Sequence, residues 1–80
     1  MIIDVRSKCE FDKIHIPGSV NINFTNLRKT PGSYLDKLFT YYIVCENGMI
    51  SKKLETYLLS KGYSVKSIKG GINSLKYLYN

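Results

Sequence analysis

The sequence predicts an α/β domain organised on a parallel sheet. Short apolar runs alternate with stretches of helical spacing, the pattern of βαβ units. The clearest such unit is Tyr41–Gly62, where a strand ends in a cysteine and a glycine-containing loop opens into a helix. In open α/β sheets, ligands bind beyond the carboxyl ends of the strands. That loop is therefore where function is expected.

The elements follow in order. Met1–Val5 is a strand, apolar apart from Asp4. Asp4 and Arg6 flank Val5 and share a face of the extended chain, so a structural ion pair is expected between them. Ser7–Lys13 is a helical turn with Ser7 as N-cap and Glu10 at capping-box spacing. Ile14–Gly18 is a turn, in which Pro17 fixes its own φ and Gly18 permits a tight reversal. It carries His15, the single histidine, read as held by hydrogen bonds beside the turn rather than as a partner for a catalytic cysteine. Ser19–Asn23 alternates as a strand. Thr25–Leu38 is mixed: Pro31-Gly32-Ser33 breaks it, and Ser33 is placed to cap a short helix through Leu38.

Tyr41–Val44 is apolar and aromatic, as in a strand buried on both faces. Ile50, Leu54, Tyr57 and Leu58 recur at helical spacing, which predicts a helix over Ser51–Lys61 with Ser51 as N-cap and Gly62 at C′. Tyr63–Ile68 is the last strand. Lys69-Gly70-Gly71 is a tight turn, and Ile72–Tyr79 has the spacing of a terminal helix.

At 80 residues the chain is expected to be a single domain, 1–80. A chain this short buries only about 60–65% of its unfolded surface. Hydrophobic residues make up 44%, with seven tyrosines and three phenylalanines, enough for a core. No apolar run approaches the roughly 20 residues of a membrane span, and the N-terminus lacks the pattern of a secretory signal. The net charge of +6 comes from twelve basic against six acidic residues. The lysines are scattered, so a solvated surface is expected and no nucleic-acid partner. Cys9 and Cys45 form no metal-binding pair, and with His15 alone beside them no metal site is expected. Both are read as free thiols in a reducing cytoplasm. Cys9 is read as a bystander, not as the resolving partner of a disulfide.

Cys45 is the candidate nucleophile. The loop Glu46-Asn47-Gly48-Met49-Ile50-Ser51 carries its amides toward the N-terminus of a helix, where unpaired N–H groups and partial positive charge favour an anion. A thiolate there is stabilised and its pKa falls. The competing reading is a small apolar residue at the end of a buried strand.

Three segments share one pattern. IIDVRSKCEFDKIHIPGSVNI resembles the D-V-R strand, E-F and G-H-I-P-G-A motif of rhodanese-like domains. YYIVCENGMISKKLETYLLSKGYSV is similar to their active-site segment, a strand ending in C-x-x-G-x-x-S and then a helix. SIKGGINSL resembles their closing strand and G-G-x-x-x-W turn. The resemblance covers most of Ile2–Leu75. It implies a three-layer fold with a parallel sheet of four to five strands flanked by helices, the chain starting after the family's first strand and helix. It implies a sulfurtransferase in which Cys45 takes a sulfane sulfur from thiosulfate or another persulfide donor and passes it to a thiol or cyanide acceptor. The amides of Glu46 through Ser51 would cradle the persulfide, with Asp4, Arg6 and His15 as structural support and no cofactor. Glu46 is expected to repel an anionic donor, which favours a persulfide over thiosulfate. Leu75 replaces the family's Trp, and Ile14 its Gly. The related cell-cycle phosphatases and arsenate reductases place an Arg a full loop after the cysteine. Here that position is Ser51, so phosphate chemistry is not expected. The alternative is a non-catalytic rhodanese-like module that uses its surface, or an uncovered sheet edge, to bind a protein partner.

Overall fold

The sheet is parallel throughout: in chain order its first strand lies between the second and the third, and the fourth flanks the third. A computed structural model describes residues 1–75. Among them the strands are β1 (Ile2–Asp4), β2 (Val20–Asn21), β3 (Thr40–Val44) and β4 (Ser64–Ser67). The helices are α1 (Lys8–Lys13), α2 (Phe24–Lys29) and α3 (Met49–Ser60). Single 3₁₀ turns occur at Pro31–Ser33 and Ile72–Ser74.

Alternation along the strands sends Ile3, Val5, Tyr41, Ile43 and Val65 to one face, where they meet Leu27 of α2, Leu54 and Leu58 of α3, and Leu35. Ile3, Leu27, Ile43 and Leu58 have no exposed surface. Each such side chain contributes about 1.5–3 kcal/mol through burial. On the opposite face β3 is covered only toward its carboxyl end. Val44 is fully buried and in register with Asp4 of β1, whereas Tyr42 keeps 45% of its surface exposed. The expectation of a strand buried on both faces therefore holds for Val44 and not for Tyr42.

Local chemistry accounts for the other differences from the sequence reading. Asn23 does not extend β2. Its Oδ1 accepts the Asn26 N–H at 2.9 Å and caps α2. No helix runs from Ser33 to Leu38. Leu35 drops into the core, the Asp36 N–H donates to the Tyr41 hydroxyl (2.8 Å), and Asp36 Oδ1 accepts from Leu38 N (2.8 Å), so the backbone donors are taken by side chains. The helix α3 begins at Met49, with Gly48 as its N-cap at φ +92°. Ser51 therefore lies inside the helix with its side chain buried. Ser7 does cap α1, accepting from Glu10 N at 3.2 Å, and Gly62 is left-handed at φ +92° after α3. Ile50 is half exposed and does not join the core. Of the expected helix Ile72–Tyr79, Ile72–Ser74 forms one 3₁₀ turn and Leu75 leaves it extended. Tyr77, Leu78 and Tyr79 lie outside the described residues. Among the described residues no helix is long and apolar enough to cross a membrane.

Candidate active site

The carboxyl end of β3 delivers Cys45 to a point between the ends of β1 and β4. Its residue surface is 3% exposed. The sulfur faces the start of α3. Gly48 N–H donates to Sγ at 3.2 Å and Ser51 N–H at 3.3 Å. Ser51 Oγ stands 3.4 Å from Sγ. The left-handed Gly48 makes this possible by turning the chain sharply enough to aim successive amides at one atom. Not every loop amide takes part: the Met49 N–H is held by Asn47 Oδ1 at 3.0 Å.

Burial of the sulfur opposes ionisation. The Ser51 hydroxyl and the amides of Ser51, Gly48 and Ile50 outweigh it, and the Cys45 thiol pKa lies below its ordinary value. The pocket thus makes the thiolate easier to form than it is for an ordinary cysteine.

The loop is clamped from two sides. From β4 and the turn after it, Ile72 N–H donates to Cys45 O (2.8 Å) and Asn73 N–H to Glu46 O (2.9 Å). Gly71 lets these backbones approach. At its φ of +63° a Cβ would collide with Cys45 O and with Glu46 C and O, the latter two at 2.6 Å. Gly48 packs against the same turn, its Cβ position lying 2.9 Å from Gly70 N. From β1, Arg6 forms the second clamp. Its Nη2 donates to Asp4 Oδ2 at 2.9 Å and to the carbonyl of Ile14, and its Nη1 to Glu46 Oε2 at 3.4 Å. Asp4 Oδ1 also accepts from Arg6 N and Nε. Asp4 has no exposed surface, so the pair is structural, as the spacing predicts. Asp4 holds the Arg6 guanidinium above its ordinary pKa against the opposing effect of burial, with Glu46 adding to it.

His15 belongs to the α1 side. Its ring stacks on Phe11 at 3.8 Å and its Nδ1 is 2.7 Å from Phe11 O. It is not among the hydrogen-bond partners of Cys45. Cys9 is a free, exposed thiol on α1, and Cys45 is free and buried.

Beside the loop lies a cleft of about 820 Å3, lined by Asn47, Gly48, Met49, Lys52, Lys53, Ser67, Lys69 and Gly70. Its three lysines and the Arg6–Glu46 contact alter the electrostatic expectation. Glu46 is not an unopposed charge, and the cleft rim is basic. Of the residues expected in the loop, Gly48 and Ser51 meet the Cys45 sulfur. Sequence reasoning missed Ser67, whose hydroxyl is 2.6 Å from Ser51 Oγ, and the Ile72 and Asn73 amides. The one signal for the latter was that Gly70-Gly71 closes a strand at the same end of the sheet as Cys45.

A parallel sheet that presents a buried, amide-cradled cysteine at a strand end defines a class of α/β domain built around a cysteine loop. The chain belongs to the rhodanese-like domain family, whose pattern matches residues 1–77. It is 35% identical over 81 residues to the adenylyltransferase and sulfurtransferase UBA4 of Meyerozyma guilliermondii, covering 91% of this chain and 19% of that protein. It is 32% identical over 74 residues to the thiosulfate sulfurtransferase GlpE of Shewanella oneidensis, covering 91% of this chain and 72% of that protein. The crystal structure of a rhodanese-like domain protein from Staphylococcus aureus superposes with a TM-score of 0.81 at 32% identity, over 90% of this chain and 70% of that one. Against several of its larger curated relatives the chain spans about a quarter of their length or less.

Proposed function

We propose that the domain is a sulfurtransferase in which Cys45 carries the transferred sulfur as a persulfide. The observation that carries this reading is the convergence of the Gly48 and Ser51 amides and the Ser51 hydroxyl on one buried sulfur. A buried thiol filling space needs no such donors. The names of the relatives, UBA4 and GlpE among them, point the same way.

The chemistry is balanced without a cofactor. The Cys45 thiolate attacks the outer sulfur of a donor such as thiosulfate. The S–S bond of the donor breaks and its electron pair leaves with sulfite. The new Cys45 persulfide ends in an anionic sulfur, which N–H donors stabilise as they do the thiolate. Attack on that terminal sulfur by cyanide or a thiolate releases thiocyanate or a new persulfide and restores the Cys45 thiolate. The lysines of the cleft, Lys52, Lys53 and Lys69, offset Glu46 and favour an anionic donor, thiosulfate included.

The test is intact-mass spectrometry of the reduced protein after incubation with thiosulfate and, separately, with a small-molecule persulfide. A gain of about 32 Da that maps to Cys45, disappears with cyanide and is absent from Cys45→Ser is the expected result. A folded protein that takes up no sulfur from either donor overturns the reading and leaves the domain a protein-binding module.

A further inference from the structure

We infer that Ser67 is a positioning residue for Cys45, its hydroxyl directing the proton of Ser51 onto the sulfur. This rests on Cys45 being the nucleophile. Three side chains, Ser67, Ser51 and Cys45, share their protons along one chain. Ser51 Oγ has three neighbours: Cys45 Sγ at 3.4 Å, the Gly48 carbonyl at 3.4 Å and Ser67 Oγ at 2.6 Å. Its single proton can serve only one of them. If Ser51 donates to Ser67, the sulfur loses a donor. If Ser67 donates to Ser51, the shortest contact of the three is satisfied and the Ser51 proton is free for the sulfur. A thiolate is a stronger acceptor than a carbonyl, so the chain runs Ser67 Oγ–H to Ser51 Oγ–H to Cys45 Sγ. A hydroxyl that accepts one hydrogen bond also donates a stronger one.

The fold holds Ser67 in place for this. Ser67 ends β4, in register with Ile43, two residues before Cys45. Its N–H donates to Glu55 Oε1 at 2.6 Å, which fixes the strand end to α3. Lys52 lies 3.0 Å from the other carboxylate oxygen of Glu55 and balances its charge. Ser51 is fully buried, whereas Ser67 also lines the cleft. Ser67 thus links the enclosed sulfur to the side from which solvent and donor approach. The charged groups around the site are Asp4 of β1 with Arg6 just after it, Glu46 of the loop, Lys52, Lys53 and Glu55 from α3, and Lys66 and Lys69 from β4 and its turn. None of them changes in the variants below.

The experiment measures the rate of alkylation by iodoacetamide as a function of pH, in a Cys9→Ser background so that only Cys45 reacts. Ser67→Thr and Ser67→Val add similar bulk and differ in the hydroxyl. Ser67→Thr is expected to keep the wild-type profile. Ser67→Val is expected to move the midpoint up by about half a unit to one unit, slowing alkylation about 3- to 10-fold below the midpoint. In a Ser51→Ala background the Thr and Val variants should be indistinguishable, because Ser67 acts through Ser51. Equal profiles for Ser67→Thr and Ser67→Val with Ser51 present overturn the inference. So does a Thr–Val difference that persists after Ser51→Ala. A Cys45 that titrates at the ordinary thiol value in the parent protein overturns instead the nucleophile reading on which the inference rests. Circular dichroism of each variant separates these outcomes from loss of fold.

Discussion

Cys45 shows how one side chain can be buried and still ionise more readily than an ordinary thiol. Taking sulfur out of water raises a thiol pKa, but the Ser51 hydroxyl and the amides of Ser51, Gly48 and Ile50 reverse the balance. The folded pKa lies below the ordinary value of the unfolded thiol. The thiolate's contribution to stability is therefore absent below the folded pKa, grows between the two values and is complete above the unfolded one. Sulfur loading should follow the same ionisation: the rate should rise with pH and level off at lower pH than for an ordinary thiol, as read by stopped-flow or quenched mass spectrometry. Ser51→Ala should displace that plateau upward by up to about one unit. A plateau unmoved by the loss of Ser51 would mean that the backbone amides suffice. Cys45 stood out in the sequence because a cysteine that ends an apolar run before a glycine-containing loop and a helix is a local pattern, whereas Gly48 and Ser51 entered through the C-x-x-G-x-x-S motif of the family the chain resembles. Ser67 was not legible there, since nothing in the alternation of SVKS distinguishes a serine that meets Ser51 from one that meets water.

The elements matter through their ends. The turn after β4 supports the Cys45 loop by backbone contact alone, and Gly71 is where the approach is closest. Gly71→Ala should cost about 2–4 kcal/mol in a urea titration, from left-handed strain and the collision with Cys45 and Glu46 together. It should also slow sulfur loading even where the protein remains folded. Loading at the wild-type rate in folded Gly71→Ala would show that the loop keeps its shape without this support. Glu55 is the tie between α3 and β4. Its carboxylate is held below its ordinary pKa by the Ser67 N–H and then by Lys52. That stabilisation is present above the unfolded pKa of about 4.3 and is lost as pH falls through the lowered folded value. Glu55→Gln should therefore be less stable than the parent at pH 7, by about 1–2 kcal/mol, and the gap should close toward pH 3. A gap independent of pH would assign the loss to packing. The helix α2 itself escaped the sequence reading, which took Thr25–Leu38 as mixed, and α3 starts at Met49 rather than Ser51 because Gly48 caps it. Capping depends on side-chain reach and φ, which periodicity does not report.

For the molecule as a whole, the point of greatest leverage is the Asp4–Arg6 pair. It joins β1 to the carbonyl of Ile14 and to Glu46 of the Cys45 loop, and Asp4 is entirely buried. Arg6→Met leaves that carboxylate without its partner and should cost about 3–5 kcal/mol, most of what a domain of this size has in reserve. Adding Asp4→Asn should recover part of the loss in a thermal melt, because the penalty comes from an uncompensated charge. Failure of the second substitution to recover anything would place the cost in the lost hydrogen bond to Ile14 and the loop.

Local patterns in the chain were enough to specify the alternating architecture, the strand–cysteine–loop–helix unit, the capping of α1 by Ser7 and the structural pairing of Asp4 with Arg6. Each depends on residues within a few positions of one another, where backbone geometry leaves little choice. The family resemblance followed from three such patterns in order. Tertiary packing decided what lies between them. It set the register of β4 that brings Ser67 to Ser51, the approach of Gly71 to Cys45, the contact of Arg6 with Glu46, and the gathering of Lys52, Lys53 and Lys69 along one cleft. These contacts join residues far apart in the chain, and their geometry exists only once the sheet order β2-β1-β3-β4 has placed the strand ends side by side.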